Sequence, residues 1–287
     1  MTETDLSAWI GQQEIREDRV DATRANGMRA TLESPDAPFA EGQPLPPLWH
    51  WAYFWDIARH SDLGADGHSA RGEFLPPVDL PRRMWAGGRL RWSGDLLVGE
   101  AVRRESTIKS VQEKEGRSGP LVFVTVQHVI SGAQGVAIEE EHDIVYREAP
   151  RADEASPTPP AVPDSPVLWE HQVEAEAVRL FRYSALTFNG HRIHYDHPYV
   201  TQEEGYPGLV VHGPLMATLM VELLRHSAPD RRVAALDFRA RSPVFAPASL
   251  QVCAARTEEG TGTPTRLETW VSGAPGVLAM SGQVDLD

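Results

Sequence analysis

The sequence predicts an α+β chain of two tandem halves, each a helical segment followed by antiparallel strands, and three observations carry that expectation. A proline-rich connector divides the chain nearly in half; β-branched, partly alternating runs recur on both sides of it; and one late helical stretch is apolar over most of its circumference. The connector is EAPRADEASPTPPAVPDSP, Glu148 to Pro166, with prolines at 150, 157, 159, 160, 163 and 166 and almost no large apolar residue. Such a composition favours an extended, semi-rigid spacer over a packed element. The expected division is therefore residues 1–147, a linker at 148–166, and residues 167–287.

In the first half, helices are expected near Leu6 to Ile10 and from Asp21 to Leu32. PLPPLWHWAYFWDIARH opens on prolines suited to a helix start and continues with Trp49, Trp51, Tyr53, Trp55 and Ile57, which predicts an aromatic helix of several turns. Strands follow in RLRWSG, LLVGEAVRRESTIKSVQEKEG, PLVFVTVQHVISG and VAIEEEHDIVYRE, with glycine in the turns between them. The second half repeats the plan. VEAEAVRLFRYSALT leads to a histidine-rich turn and to the apolar helix GLVVHGPLMATLMVELLRHS; strands are expected in AALDFRARSPVFAPASLQVCAARTEEG, TRLETWVSG and GVLAMSGQVDL. Around that helix, Val210, Val211, Leu215, Met216, Leu219, Met220, Leu223 and Leu224 leave little polar surface, so it belongs inside a sheet. Two joined sheets, each wrapping a long helix, are the expected architecture.

With 41 acidic against 27 basic side chains the formal charge is -14, which gives no support to nucleic acid or an anionic membrane as partner. A small substrate is expected. The single cysteine, Cys253, lies in the strand-like run LQVCAAR; it excludes an intrachain disulfide framework and reads as a buried, inert thiol in a reducing compartment. No apolar run reaches the roughly 18 residues of a membrane span, and the N-terminal stretch lacks a basic segment followed by an apolar one. The expected location is the cytoplasm.

Chemistry concentrates in two short strings. FNGHRIHYD crowds His191, His194 and Asp196 into one turn; VHGPL starts the apolar helix, where Pro214 suits the first turn and unpaired N–H groups carry the positive end of the helix dipole. Such a start can hold a developing oxyanion, although an ordinary buried helix start reads the same way. His191, His194 and Asp196 satisfy a loose metal-ligand count, but no cysteine partner is near and Arg192 places a cation between the histidines. Acid/base work by histidine beside an oxyanion holder fits better, so no metal is expected.

The string YSALTFNGHRIHYDHPYV, followed by EEGYPGLVVHGPLMATLM, resembles the signature of the MaoC-like, or type 2 enoyl-CoA hydratase, branch of the hotdog superfamily. In that branch an aspartate, any residue and Asn-Pro-Ile-His lead to a His-Gly helix start. LPPLWHWAYF is similar to the subgroup with a degenerate N-terminal hotdog, which includes mitochondrial-type 3-hydroxyacyl thioester dehydratases and the hydratases of mesaconyl-C(4)-CoA and itaconyl-CoA. The resemblance covers both halves and implies a tandem (double) hotdog.

It further implies that His194 is the proton carrier and that the backbone N–H of Gly213 holds the thioester oxygen. The family aspartate falls on Asn189, and an amide orients water but cannot take its proton. Either His194 alone is the base, or Asp196 shares the duty. His191, Arg192 and His212 are implied supports at the substrate, and Trp49, His50, Trp51 and Tyr53 an acyl pocket in the first half. Coenzyme A would enter as part of the substrate, with no other cofactor. For a branched C5-dicarboxylyl-CoA, the free carboxylate needs a cation, and Arg82, Arg83, Arg89, Arg182 and Arg192 are candidates. The alternatives are a 3-hydroxyacyl-thioester dehydratase of fatty acid synthesis and a non-catalytic acyl-CoA-binding subunit. A homodimer or higher homo-oligomer is implied, since an unpaired sheet edge invites pairing.

Overall fold

The computed structural model describes residues 5–69, 72–116, 119–148, 158–257 and 264–287. Residues 149–157 of the proline-rich connector therefore lie outside the described residues. Its final part runs beside the second half, where Pro160 accepts a backbone hydrogen bond from Leu278 (2.8 Å) and Val162 donates one to Gly276 (3.2 Å).

In the first half β1 (Gln13–Arg19) and α1 (Ala22–Leu32) precede β2 (Arg82–Trp92), β3 (Ala101–Gly116), β4 (Gly119–Gly132) and β5 (Gly135–Arg147). In the second, β6 (Val167–Ala175) and α2 (Ala177–Thr187) lead to the short α3 (His197–Gln202), the two-residue β7 (Leu209–Val210) and α4 (Gly213–Ser227). β8 (Val233–Ala240), β9 (Phe245–Ala246), β10 (Ala248–Arg256), β11 (Arg266–Ala274) and β12 (Val277–Leu286) complete the chain. Ten strands form one sheet in the order β1-β3-β4-β5-β2-β8-β12-β11-β10-β6, every described pairing antiparallel. Read outward from the β2–β8 seam the two halves have the same order, which is the double hotdog plan. The two expected sheets join as one, and the seam is a continuous ladder, with Gly88 opposite Phe238 and Leu90 opposite Leu236. Gly87 makes it possible: a Cβ there would sit 2.3 Å from the Phe238 carbonyl oxygen.

α4 lies against β6, β8, β10, β11 and β12, and every residue from Leu215 to Leu224 is buried, as its all-round apolar sequence demands. It begins at Gly213, after β7 has turned the chain, so the expected start at Gly208 moves by more than a turn.

The aromatic helix of several turns does not form. Trp49–Ala52 is one 3-10 turn, bounded by Leu48 at φ 70° and Phe54 at φ 59°. Left-handed residues end a helix on both sides, so the run becomes a knot of buried side chains, and the first half has no long central helix among the described residues. Trp49 is fully buried, edge-on to Phe39 (5.2 Å), and its Nε1–H donates to Glu222 of α4 (3.1 Å). The expected helix near Leu6 is likewise a 3-10 turn, Leu6–Trp9. Helix α1 forms as expected with Asp21 as its cap, accepting from the N–H of Arg24 (2.9 Å). Cys253 is buried on β10, where burial pushes its thiol up.

Candidate active site

Helix α2 ends because Phe188 is left-handed (φ 52°), and the Asn189 N–H returns to the Ser184 carbonyl (2.8 Å). Asn189 Oδ1 then accepts the His191 N–H (3.0 Å), a side-chain turn that folds FNGH tightly and commits the amide oxygen. The next turn, Arg192–His194, aims His194 inward.

His194 is 7% exposed. Its Nδ1 lies 2.7 Å from the Val210 carbonyl oxygen. A carbonyl only accepts, so Nδ1 carries the hydrogen and Nε2 is left with its lone pair, the form a base needs. Burial pushes His194 down to about 4, against the hydrogen bond to Val210, so the ring is neutral at pH 7. His212 stacks on it (3.7 Å between centroids, 18° between planes) and its Nε2 lies 2.8 Å from the Ser184 hydroxyl. Burial also pushes His212 well below its ordinary value. His212 is the residue before α4, so the stacked pair places His194 beside the helix start at Gly213, whose N–H has no acceptor within the helix. Trp85 of β2 faces that start: a Cβ on Gly213 would lie 3.7 Å from Trp85 Cε3.

The other expected residues separate into two groups. His191 adjoins His194 edge-on (5.4 Å). Asp196 is engaged elsewhere: one oxygen caps α3 through the Tyr199 N–H (3.1 Å) and the other pairs with Arg192 (2.8 Å). Arg192 in turn lies over the Tyr199 ring (4.0 Å). These contacts make Asp196 and Arg192 parts of the turn's frame. Trp51 sits edge-on to Trp85 (4.9 Å), on the side of the candidate site, and donates to buried Glu140 (3.1 Å). His50 meets the other oxygen of Glu140 (3.1 Å). Burial opposes the Glu140 charge, yet the His50 hydrogen bond and neighbouring histidines hold the carboxyl down to about 2. Trp49 and Tyr53 point into structural contacts instead: Trp49 to Glu222, and the Tyr53 hydroxyl to the Asp21 carbonyl (2.9 Å).

The arginines are also sorted. Arg82 is held by Glu204 and Tyr206, Arg89 by Glu141 and Asp143, and Arg192 by Asp196, while Arg182 is exposed on α2. Arg83 is two residues from Trp85 on β2, hence on the same face, and makes no ion pair among the described residues. Its charge bears on His191, His142 and Asp56.

Sequence reasoning missed Asp66 and His68, on a first-half loop docked over the histidine turn. Asp66 Oδ2 lies 2.9 Å from His68 Nδ1, and the His68 ring lies 4.1 Å from that of His191. The loop is tied down by Arg192, which donates from its N–H to the Asp66 carbonyl and from Nη1 to the Ala65 carbonyl (both 2.9 Å). At the contact, a Cβ on Gly67 would fall 2.0 Å from the Gly190 carbonyl oxygen, and Gly67 has φ 88°. Only glycine fits there. Two glycines so placed, one of them inside a short Asp-Gly-His, were the available signal.

Comparison with known proteins identifies the family and the fold. The chain is 45% identical over 286 residues to the mesaconyl-C(4)-CoA hydratase of Chloroflexus aurantiacus, covering 100% of this chain and 99% of that protein. It is 28% identical over 279 residues to the mitochondrial type 2 hydroxyacyl-thioester dehydratase of Schizosaccharomyces pombe (88% and 90% covered). Among solved structures, a MaoC-like dehydratase from Phytophthora capsici superposes with a TM-score of 0.69 at 13% identity, over 96% of each chain. A Mycobacterium tuberculosis protein described as a double hotdog superposes at 0.62 with 12% identity, over 97% of this chain and 96% of that one. The family profile for hydroxyacyl-thioester dehydratase type 2 matches residues 48–246, a span that takes in the aromatic turn, the docked loop, the histidine turn and α4, and the chain belongs to that family.

Proposed function

We propose that this protein is a hydro-lyase that reversibly adds water to an enoyl-CoA thioester, with a branched C5-dicarboxylyl-CoA such as mesaconyl-C(4)-CoA as substrate. The observation that carries the reading is the neutral, buried His194, its Nδ1 bonded to Val210 and its ring stacked beside the start of α4. The relative's activity at 45% identity over the full length points to the same chemistry. In the hydration direction the water oxygen bonds to the β-carbon and His194 Nε2 takes a water proton. The double-bond electron pair moves to the thioester oxygen, where the Gly213 N–H and helix dipole stabilise it; the α-carbon then receives a proton. Coenzyme A is part of the substrate, and these steps use only side chains and backbone of this chain. Arg83, beside Trp85, is the group proposed to meet the free carboxylate.

The test is a spectrophotometric panel of crotonyl-, mesaconyl-C(4)-, itaconyl- and long-chain enoyl-CoA. Wild-type protein should hydrate the dicarboxylyl thioesters best, and His194→Ala should lower the rate about 10²–10⁴-fold. Arg83→Met should cost selectivity for the dicarboxylyl over the crotonyl substrate. Full activity in His194→Ala would rule out the assignment. The type 2 dehydratase family itself favours a second reading, dehydration of 3-hydroxyacyl thioesters in fatty acid synthesis, and preference for long-chain substrates would select it.

A further inference from the structure

We propose that the Asp66–His68 pair, carried on a loop of the first half, supplies the carboxylate that the histidine turn lacks at Asn189. This rests on the hydratase reading above. A base that accepts a proton while buried needs a counter-charge, because an imidazolium out of water is costly without one. Two rings pack against His194: His212 stacked on one face and His191 against its edge. Asn189 is neutral and its oxygen holds the His191 N–H, while Asp196 is committed to Arg192 and to the cap of α3.

Asp66 is a further carboxylate in line with the site. Its two oxygens take the His68 Nδ1 (2.9 Å) and the His68 backbone N–H (3.0 Å), His68 lies against His191 (4.1 Å), and His191 against His194 (5.4 Å). Among the described residues, the charged or titratable groups that face the pair include His191, Arg192 and His194 of the turn, Tyr199 of α3 and, through His191, Arg83 of β2. Burial opposes the Asp66 charge, but the hydrogen bonds from the His68 ring and backbone N–H hold its carboxyl well below the usual range, so it is ionised at pH 7, and with a neutral His68 ring the pair carries one net negative charge.

The pair is a positioning and electrostatic unit, not a group in contact with substrate. As water adds, its proton passes to His194 Nε2 and later to the α-carbon. Between those events the positive charge on His194 is stabilised along the His191–His68 stack by Asp66, and no net proton or electron is consumed. The same three groups, Asp66, His68 and His191, offer ligand atoms within 4.8 Å of one another, so a divalent cation is the competing occupant.

The decisive experiment combines Asp66→Asn with Asn189→Asp. Asparagine at 66 keeps an acceptor for the His68 backbone N–H, and so the turn's shape, while it removes the charge and puts an amide NH2 where an oxygen met His68 Nδ1. Provided wild-type protein hydrates an enoyl-CoA, Asp66→Asn should lower kcat about 10²-fold with KM little changed, and should move the acid limb of the pH–rate profile. Adding Asn189→Asp should restore at least ten-fold of the loss, because it returns a carboxylate to the histidine turn, against the His191 N–H. His68→Asn should reproduce the defect with an unchanged Tm. A wild-type protein inactive on the whole panel would remove the hydratase reading instead. With active wild type, Asp66→Asn within two-fold of it, or no recovery in the double variant, would overturn the proposal. So would loss of activity in a chelator with recovery on added zinc.

Discussion

In the second half α4 crosses the face of five strands and fills it with aliphatic side chains, while in the first half the corresponding face receives one short turn bearing Trp49, His50 and Trp51. Beneath that turn lies a polar belt, Glu140 with His50, His128 with Ser106 (2.8 Å), and His142 against Trp85 (4.6 Å), where the other half has leucine and methionine. The strand order is shared, so the sheet does not decide what sits in its concavity. A full helix makes a dry core and presents a helix start to the chemistry; a shortened turn leaves aromatic and polar groups that face the same site. One half carries the candidate site and the other forms its wall.

The comparison is broken first by truncating one plug from each half. Trp49→Ala should cost about 3–5 kcal/mol, since it opens a cavity and takes one of several N–H donors from Glu222, and Met220→Ala on α4 about 2–5 kcal/mol. Equal losses in chemical denaturation mean that the turn holds its half as firmly as the helix does. A loss below about 1 kcal/mol for Trp49→Ala would show that it is only a lining.

A smaller effect concerns pH. Burial holds His128 of the wall at about 3 and His142 at about 4, and His194 of the centre at about 4, all below the ~6.5 of a free imidazole. The unfolded chain therefore binds more protons than the folded one between those values. Stability is fully present above ~6.5 and is lost as pH falls towards 4, at about 1.4 kcal/mol per pH unit for each such histidine. Denaturation midpoints between pH 7 and 4.5 should show this slope, and His194→Gln should flatten it by one proton's share. An unchanged slope in that variant would mean that His194 is charged in the fold.

The smallest expected change in stability is that of Gly213→Ala. The added methyl would meet Trp85 and Met280 at 3.7 and 3.8 Å, ordinary contact, and alanine is the better helix former, so stability should change by less than about 1 kcal/mol. Hydration should nonetheless fall about ten-fold or more, because the methyl occupies the space between the helix start and the wall, where electrostatic stabilisation of the oxyanion is needed. A variant as active as wild type would place the thioester oxygen elsewhere.

How far this was legible in the sequence depends on the distance over which a residue acts. Strands showed themselves through β-branched alternation, and α4 through an apolar surface all round, because both signals are local and repeated. The aromatic run misled for a local reason too: its spacing suits a helix, but Leu48 and Phe54 adopt left-handed backbone, and nothing about leucine or phenylalanine announces that. In the histidine turn, His194 and the helix start were readable as neighbours, being close in the chain. Asp66 and His68 were not, since they approach the turn only after the sheet has closed, and Asp196 looked available because sequence does not show that Arg192 and the α3 cap already hold it.

The Gly67–Gly190 contact has a consequence for anyone who would rebuild this protein. Each glycine lies in a different half, and a side chain on Gly67 would collide with the main chain of its opposite number. The two halves are therefore not exchangeable modules: a chimera that took its first half from a distant homologue would need the docking loop and the histidine turn transplanted as a matched set, even though more than a hundred positions separate them in the gene.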